Sequence, residues 1–423
     1  MIDPPDSSAS IPPSGGTPHA AGPAFIPAKP RRRFILFLEW LNRLVALPLL
    51  GIDVEVGPRD LQRLRSVPRD VGVLVASNHP SYSDPLIMFE VSRQWGRNCT
   101  WMAARELFSR MGGWMGSFLR RTGAFSVWRG GHNHDAAAFV RNTLADCRFP
   151  IVIFPEGHTF YLNDVLLPLK PGVAAWAVDT VVEHPDLPVW ILPIIIKYRY
   201  HGDIREPLER AVAKMERMVL RRVEPVPPGE FWSRLYLRLH RIADVILSRQ
   251  ERLHEALPPH GADIDARVQR LCATIIRRLE IRYTGEEGTG DFFDRSRHLM
   301  AMLKDDDDPQ HQEDARDARF AWALSTFYAG YLSPDSSPER FAETVLKLLR
   351  EITHRVPITF RARRAAHVRV GEPIDVRRLV AGYELSVSAE RHAATDLVLE
   401  RLALRMSAML GEAREDADSL HLS

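Results

Sequence analysis

The chain has 423 residues, 45% of them hydrophobic, enough for a sizeable core and two or three domains' worth of chain. Its 56 basic and 54 acidic residues nearly cancel, which argues against a nucleic-acid binder. Three cysteines (Cys99, Cys147 and Cys272) show no metal or redox spacing and fit a reducing compartment.

Residues 1–30 are rich in Pro, Ser, Gly and Ala and lack a basic start followed by an apolar run. They read as a disordered tail with no signal peptide. Arg31-Arg32-Arg33 then precedes an apolar stretch from Phe34 to Ile52. The stretch is long enough to cross a bilayer, but Glu39, Asn42 and Arg43 interrupt it and Pro48 would kink it. Each charge at a bilayer centre costs about 2.5–3.5 kcal/mol. Residues 31–56 are therefore expected to form an amphipathic helix lying in the membrane surface, the arginines facing anionic headgroups and Trp40 at the interface. The bland alternative is a core helix packed on the next domain.

From Ile52 to Tyr200, short β-branched runs alternate with helix-like segments. Val71–Ala76, Phe125–Val127, Ile151–Phe154 and Val189–Ile196 read as buried strands. Pro85–Trp95, Asp135–Asp146 and Gly172–Val182 read as helices, so the fold class is α/β, a sandwich around a largely parallel sheet. The first of these strands runs into Ser77-Asn78-His79-Pro80-Ser81-Tyr82-Ser83-Asp84. A carboxylate can hold imidazole in the tautomer whose other nitrogen accepts a proton, so His79 and Asp84 are candidates for base and orienter. The bland reading makes His79 a turn histidine and Asp84 a helix cap. A second apolar strand ends at Phe154-Pro155-Glu156-Gly157, placing another carboxylate at a strand-end turn.

Asn78-His79, four residues, Asp84, followed by Phe154-Pro155-Glu156-Gly157, resembles the glycerolipid acyltransferase family, which acylates glycerol phosphate and lysophosphatidate. Two further blocks fit in order, Gly123–Arg129 and Leu187–Pro193. His158 and Thr159 stand where the family usually has Thr-Arg, and Trp128 where it commonly has Asp. The resemblance implies acyl transfer from acyl-coenzyme A or acyl carrier protein to a hydroxyl of a glycerol-phosphate-like or lysophospholipid acceptor. It assigns His79 as general base, Asp84 as its orienter, Arg129 as phosphate anchor, and Glu156 with Gly157 to acceptor binding. Arg105, Lys170 and His158 are further substrate-binding candidates. No metal and no organic cofactor beyond the thioester donor is expected, and the product implies a place on the cytoplasmic face of a membrane. A non-catalytic lipid-binding scaffold is the alternative; a metal-dependent hydrolase using His79, Asp84, Glu156 and His158 is a third reading. His132 and His134 read better as loop residues than as metal ligands.

Beyond His201 strand signals fade and helical repeats take over, among them Leu235, Leu239, Ile242, Val245 and Ile246. Asp305–Asp308 reads as a solvated break within this stretch. Strand character returns in His367–Val376, whose Gly371-Glu372-Pro373-Ile374 resembles a strand near the end of the family's catalytic domain. The expected organisation is a tail (1–30), the amphipathic helix (31–56), the first part of the acyltransferase domain (57–201), a helical insertion (202–365), the end of that domain (366–412) and a tail (413–423). A separate all-helical domain is the alternative for the insertion.

Overall fold

A computed structural model of the chain describes residues 24–128, 133–221, 228–290, 292–303, 308–327, 330–353 and 362–421. Aliphatic, β-branched runs form the strands β1 Ile52–Val56, β2 Gly72–Ser77, β3 Thr100–Ala104, β4 Ala124–Val127, β5 Ile151–Ile153, β6 Val189–Tyr200, β7 Arg364–Val370 and β8 Ile374–Asp375. They make one mixed sheet in the order β1-β7-β6-β2-β5-β3-β4, with β8 pairing the outer end of β6. All pairs are parallel except those of β6 with β7 and β8. The fold is α/β.

Side chains alternate across the sheet as a two-residue period demands. Leu74, Ile151, Ile191 and Ile195 enter the core beneath helices Gly172–Glu183 and Ser388–His421. Val73, Val75, Val152 and Ile194 enter the opposite core with Ile87 and Val91 of helix Asp84–Trp95. With helices on both faces, strands β2 and β5 are buried throughout and β6 over residues 191–198, which is why these runs are largely apolar.

The strand at 364–370 pairs with both β6 and β1, so the chain re-enters the sheet after the helical stretch. Between β7 and β8 the backbone passes over Pro193 and Met409 so closely that a Cβ at Gly371 would lie 2.7 and 2.5 Å from them. That approach requires glycine. The helical stretch itself carries two apolar clusters, one around Leu208, Leu235 and Phe341, the other around Ile275, Leu279 and Leu299.

Three boundaries differ from the sequence reading. Residues 24–30 are not a free tail: Phe25 packs against Phe125 and Phe139, and Ile26 exchanges hydrogen bonds with Ser126, covering the open edge at β4. Residues 52–56 are strand rather than helix, because Ile52, Val54 and Val56 alternate with polar residues. The last helix continues past 412 to His421. Strand β3 gives little signal in its Thr-Trp-Met-Ala-Ala sequence and is defined by its neighbours β4 and β5.

The N-terminal segment is helical from Arg32 to Leu49, widening to a π-helix at Asn42–Ala46 just ahead of Pro48, which has no N–H to give. Two of its polar residues point inward: Glu39 and Asn42 are buried, the Asn42 amide donating to the Leu86 carbonyl at 3.0 Å. Ile35 and Leu47 are also buried, while a set of its apolar residues points outward, with Leu36, Phe37, Trp40, Leu44 and Leu49 all more than half exposed. No described helix is long and apolar enough to cross a membrane.

Candidate active site

The site lies where β2 and β5 end and their chains turn away, at the carboxyl edge of the parallel strands. Beyond β2, the side chain of Asn78 continues the sheet: its amide donates to the Ile196 carbonyl (3.0 Å) and accepts from the Ile196 N–H (2.7 Å). Asn163 treats Tyr198 identically, at 2.8 and 2.7 Å. These two side chains satisfy backbone groups of β6 where, among the described residues, no strand pairs with it on that side. They also fix the two loops that carry the chemistry.

Within the first loop, His79 Nδ1 lies 2.7 Å from Asp84 Oδ2. The Asp84 carboxylate is fully buried and also accepts from the Ser81 N–H (2.8 Å) and the Tyr198 hydroxyl (2.6 Å). It stands in the first turn of helix Asp84–Trp95, where negative charge is favoured. Its bonds run to the loop and to β6 rather than to the helix N–H groups, so it is not a capping residue. Burial, then the charge of Asp84, hold the Tyr198 phenol protonated well above its ordinary value. Arg364 of β7 lies over the Tyr198 ring at 4.3 Å and donates to Ser83 at 2.9 Å. The His79 ring stacks on Phe154, the last residue before the Pro-Glu-Gly turn, at 4.2 Å.

Glu156 joins the two loops. One carboxylate oxygen accepts from the His79 backbone N–H (2.7 Å), the other from the Leu167 N–H (3.0 Å). Burial outweighs these bonds and pushes its carboxyl up to about 7. Both oxygens therefore accept from the protein's own backbone, tying the two loops together. Gly157 adopts a left-handed φ of 75°, which turns the chain sharply away from β5.

The remaining candidates are dispersed. The His158 ring packs edge-on against Trp322 and beside Phe160, so it faces the helical stretch. The Lys170 N–H closes the loop onto the Pro155 carbonyl. Arg105 donates to the Ala24 carbonyl at 3.0 Å. Arg129 and His132 lie outside the described residues, as do Asp305, Asp306 and Asp307; the flanking Trp128 and Asn133 exchange hydrogen bonds of 2.7 and 2.8 Å. Among the described residues no three His, Cys, Asp or Glu side chains are grouped as metal ligands would be.

His79 opens on a cavity of about 550 Å³ between the N-terminal helix, helix Asp84–Trp95, helix Trp114–Thr122 and strands β3 to β5. Its walls are mainly apolar, with Leu38, Leu86, Phe89 and Phe118 prominent. With Nδ1 committed to Asp84, Nε2 is the ring nitrogen left for a substrate hydroxyl. The arrangement can take a proton from a hydroxyl beside a space shaped for hydrocarbon.

Tyr198, Arg364 and Asn163 are absent from the sequence reading. Their one local signal is the shift from Ile194-Ile195-Ile196 to Lys197-Tyr198-Arg199-Tyr200, a buried strand turning polar where it reaches the site. The family described as Acyltransferase matches residues 59–197, about a third of the chain. No curated protein matches the chain.

Proposed function

Residues 59–197 match the family described as Acyltransferase, and from that premise we propose that the chain transfers a fatty acyl group from an acyl thioester to a hydroxyl of a glycerol-phosphate-like or lysophospholipid acceptor. The observation that carries this reading is the His79–Asp84 pair opening on a largely apolar cavity. His79 Nε2 takes the proton of the acceptor hydroxyl as its oxygen attacks the thioester carbonyl. The tetrahedral intermediate collapses by breaking the C–S bond, and the imidazolium returns the proton to the departing thiolate. Asp84, held by three hydrogen bonds, stabilises the imidazolium formed on the way. No acyl-enzyme is needed, because the acceptor supplies the nucleophile.

Glu156 acts as a positioning residue, fixing the backbone at His79 against the loop that ends at Leu167. The cavity receives the acyl chain. The outward apolar face of the N-terminal helix, with Arg31, Arg32 and Arg33 exposed beside it, supports seating on an anionic bilayer surface. Its inner face lines the cavity through Leu38 and Leu41, so a lipid chain has a short path from bilayer to site. The three free cysteines favour the cytoplasmic side.

The test is release of free thiol from acyl-coenzyme A, or from acyl carrier protein, in the presence of vesicles and a series of acceptors. His79→Ala is expected to lower acceptor-dependent release by about 10²–10⁴-fold, the contribution of a positioned base. Wild-type turnover by that variant would overturn the mechanism. Lipid binding without release from either donor would favour a non-catalytic lipid-binding protein.

A further inference from the structure

We propose that a second cavity, at the foot of the N-terminal helix and apart from His79, holds the phosphate of an anionic bilayer phospholipid between Arg43 and Arg65; this rests on the bilayer seating proposed above. The cavity measures about 610 Å³ and lies between Leu47 and Pro48 of the N-terminal helix, strand β1, helix Pro58–Ser66 and the last turns of helix Asp84–Trp95. The His79 cavity is walled by hydrocarbon, whereas this one gathers Arg43, Asp53, Arg65, Glu90 and Arg93.

The charges do not cancel. Glu90 is spent on Arg93, which it holds through two bonds of 2.8 and 2.6 Å. Asp53 is spent on Arg363 at 3.0 Å. Among the described residues, neither Arg43 nor Arg65 has a carboxylate partner; Arg65 gives one long bond of 3.4 Å to the Gln94 carbonyl. Two guanidinium groups from different elements thus line one space with their charge unanswered, and a phosphate matches their planar forks.

Arg65 and Arg93 stand in the last turns of their helices, where a cation is favoured in its own right. Arg43 has no such reason to be there. It follows Asn42, which is buried against the Leu86 carbonyl, and precedes Leu44 and Val45, which are exposed. Leu49, farther along the same helix, is 83% exposed. With Leu44, Val45 and Leu49 in the acyl boundary, the Arg43 guanidinium reaches the layer of lipid phosphates, and Arg65 meets that layer from the protein side. A soluble phosphate would have no use for these apolar neighbours, so a lipid is the occupant.

Calorimetric titration of the full chain with dihexanoyl phosphatidylglycerol, below its micelle concentration, tests the site. Wild type is compared with Arg43→Gln plus Arg65→Gln and with Arg43→Lys plus Arg65→Lys. Arg32→Gln plus Arg33→Gln removes the same charge elsewhere on the helix. Affinity weakened about tenfold or more in the first pair, partly kept in the lysine pair and unchanged in the third supports the site. No binding by wild type, equal affinity in the first pair, or an equal loss in the third overturns it. Inorganic phosphate binding as tightly as the lipid, with the same dependence on Arg43 and Arg65, would overturn the lipid assignment in favour of a free anion. Sedimentation with phosphatidylglycerol vesicles separates the underlying reading. If wild type does not sediment, the bilayer seating falls, and the titration still decides the phosphate contact.

Discussion

In the sheet, β2, β5 and β6 bury unbroken aliphatic runs and admit polar side chains mainly where the strands end, whereas the helical stretch carries ion pairs through its middle. Arg238 grips Glu216 with two 2.7 Å bonds, and Arg267 grips Glu251 with two of 2.8 Å, all between neighbouring helices. The seam between the two regions is built the helical way. Asp164, in the loop after β5, pairs with Lys197 of β6 and with Arg340 of helix Pro338–Thr353, the latter at 2.6 Å. Glu343 of the same helix takes the Asn163 N–H and the Tyr331 hydroxyl, and Glu339 takes the Tyr200 N–H. Apolar burial tolerates small shifts, while a buried pair demands one geometry and fails when either partner is lost. The difference teaches that the loop joining Glu156 to Asp164 is located from two sides, by hydrophobic packing at the sheet and by charge at the helices.

Asp164→Ala tests that seam most severely. It leaves Lys197 and Arg340 without their shared carboxylate and is expected to cost about 3–5 kcal/mol in denaturant unfolding. An unchanged midpoint would mean that the apolar contacts at Phe160 and Leu167 hold the seam alone. Next in size is Phe37→Ser combined with Trp40→Ser, on the outward face of the N-terminal helix. Removing two large apolar side chains is expected to lower partitioning onto anionic vesicles by at least about tenfold. Sedimentation with the vesicles measures it, and undiminished binding would place the membrane contact elsewhere.

Tyr198→Phe removes one of the three donors to Asp84 and is expected to cost about 1.5–3 kcal/mol, the range for a hydrogen bond to a charged group. A positioning role predicts a shifted pH profile of kcat, which a purely structural role would leave in place. The smallest effect concerns Glu156. Its carboxyl titrates near 7 in the folded chain against an ordinary value of 4.5, so between these limits the folded state holds a proton that the unfolded chain releases. The stabilisation it contributes is complete at the acid end and is lost as pH rises through about 7. Glu156→Gln does not titrate, so the stability gap between wild type and this variant narrows over that window. Melting curves at several pH values check this, and a widening gap would reverse the sign.

The sequence by itself determined the α/β class, the positions of β2, β5 and β6, and the placement of His79, Asp84 and Glu156 at strand ends. These follow from local signals: unbroken β-branched runs mark buried strands, and short polar motifs mark the turns behind them. Only the tertiary structure decided the partners. Tyr198 reaches Asp84 across 114 residues, Asn163 completes β6 across 35, and Arg340 meets Asp164 across 176. It also set the faces of the N-terminal helix, burying Glu39 and Asn42 and leaving Phe37 and Trp40 exposed. Which face of that helix meets the protein depends on the polar groups of helix Asp84–Trp95, such as the Leu86 carbonyl that receives Asn42. Hydrophobic periodicity records that a helix has two faces, but the surface opposite decides which one is inside.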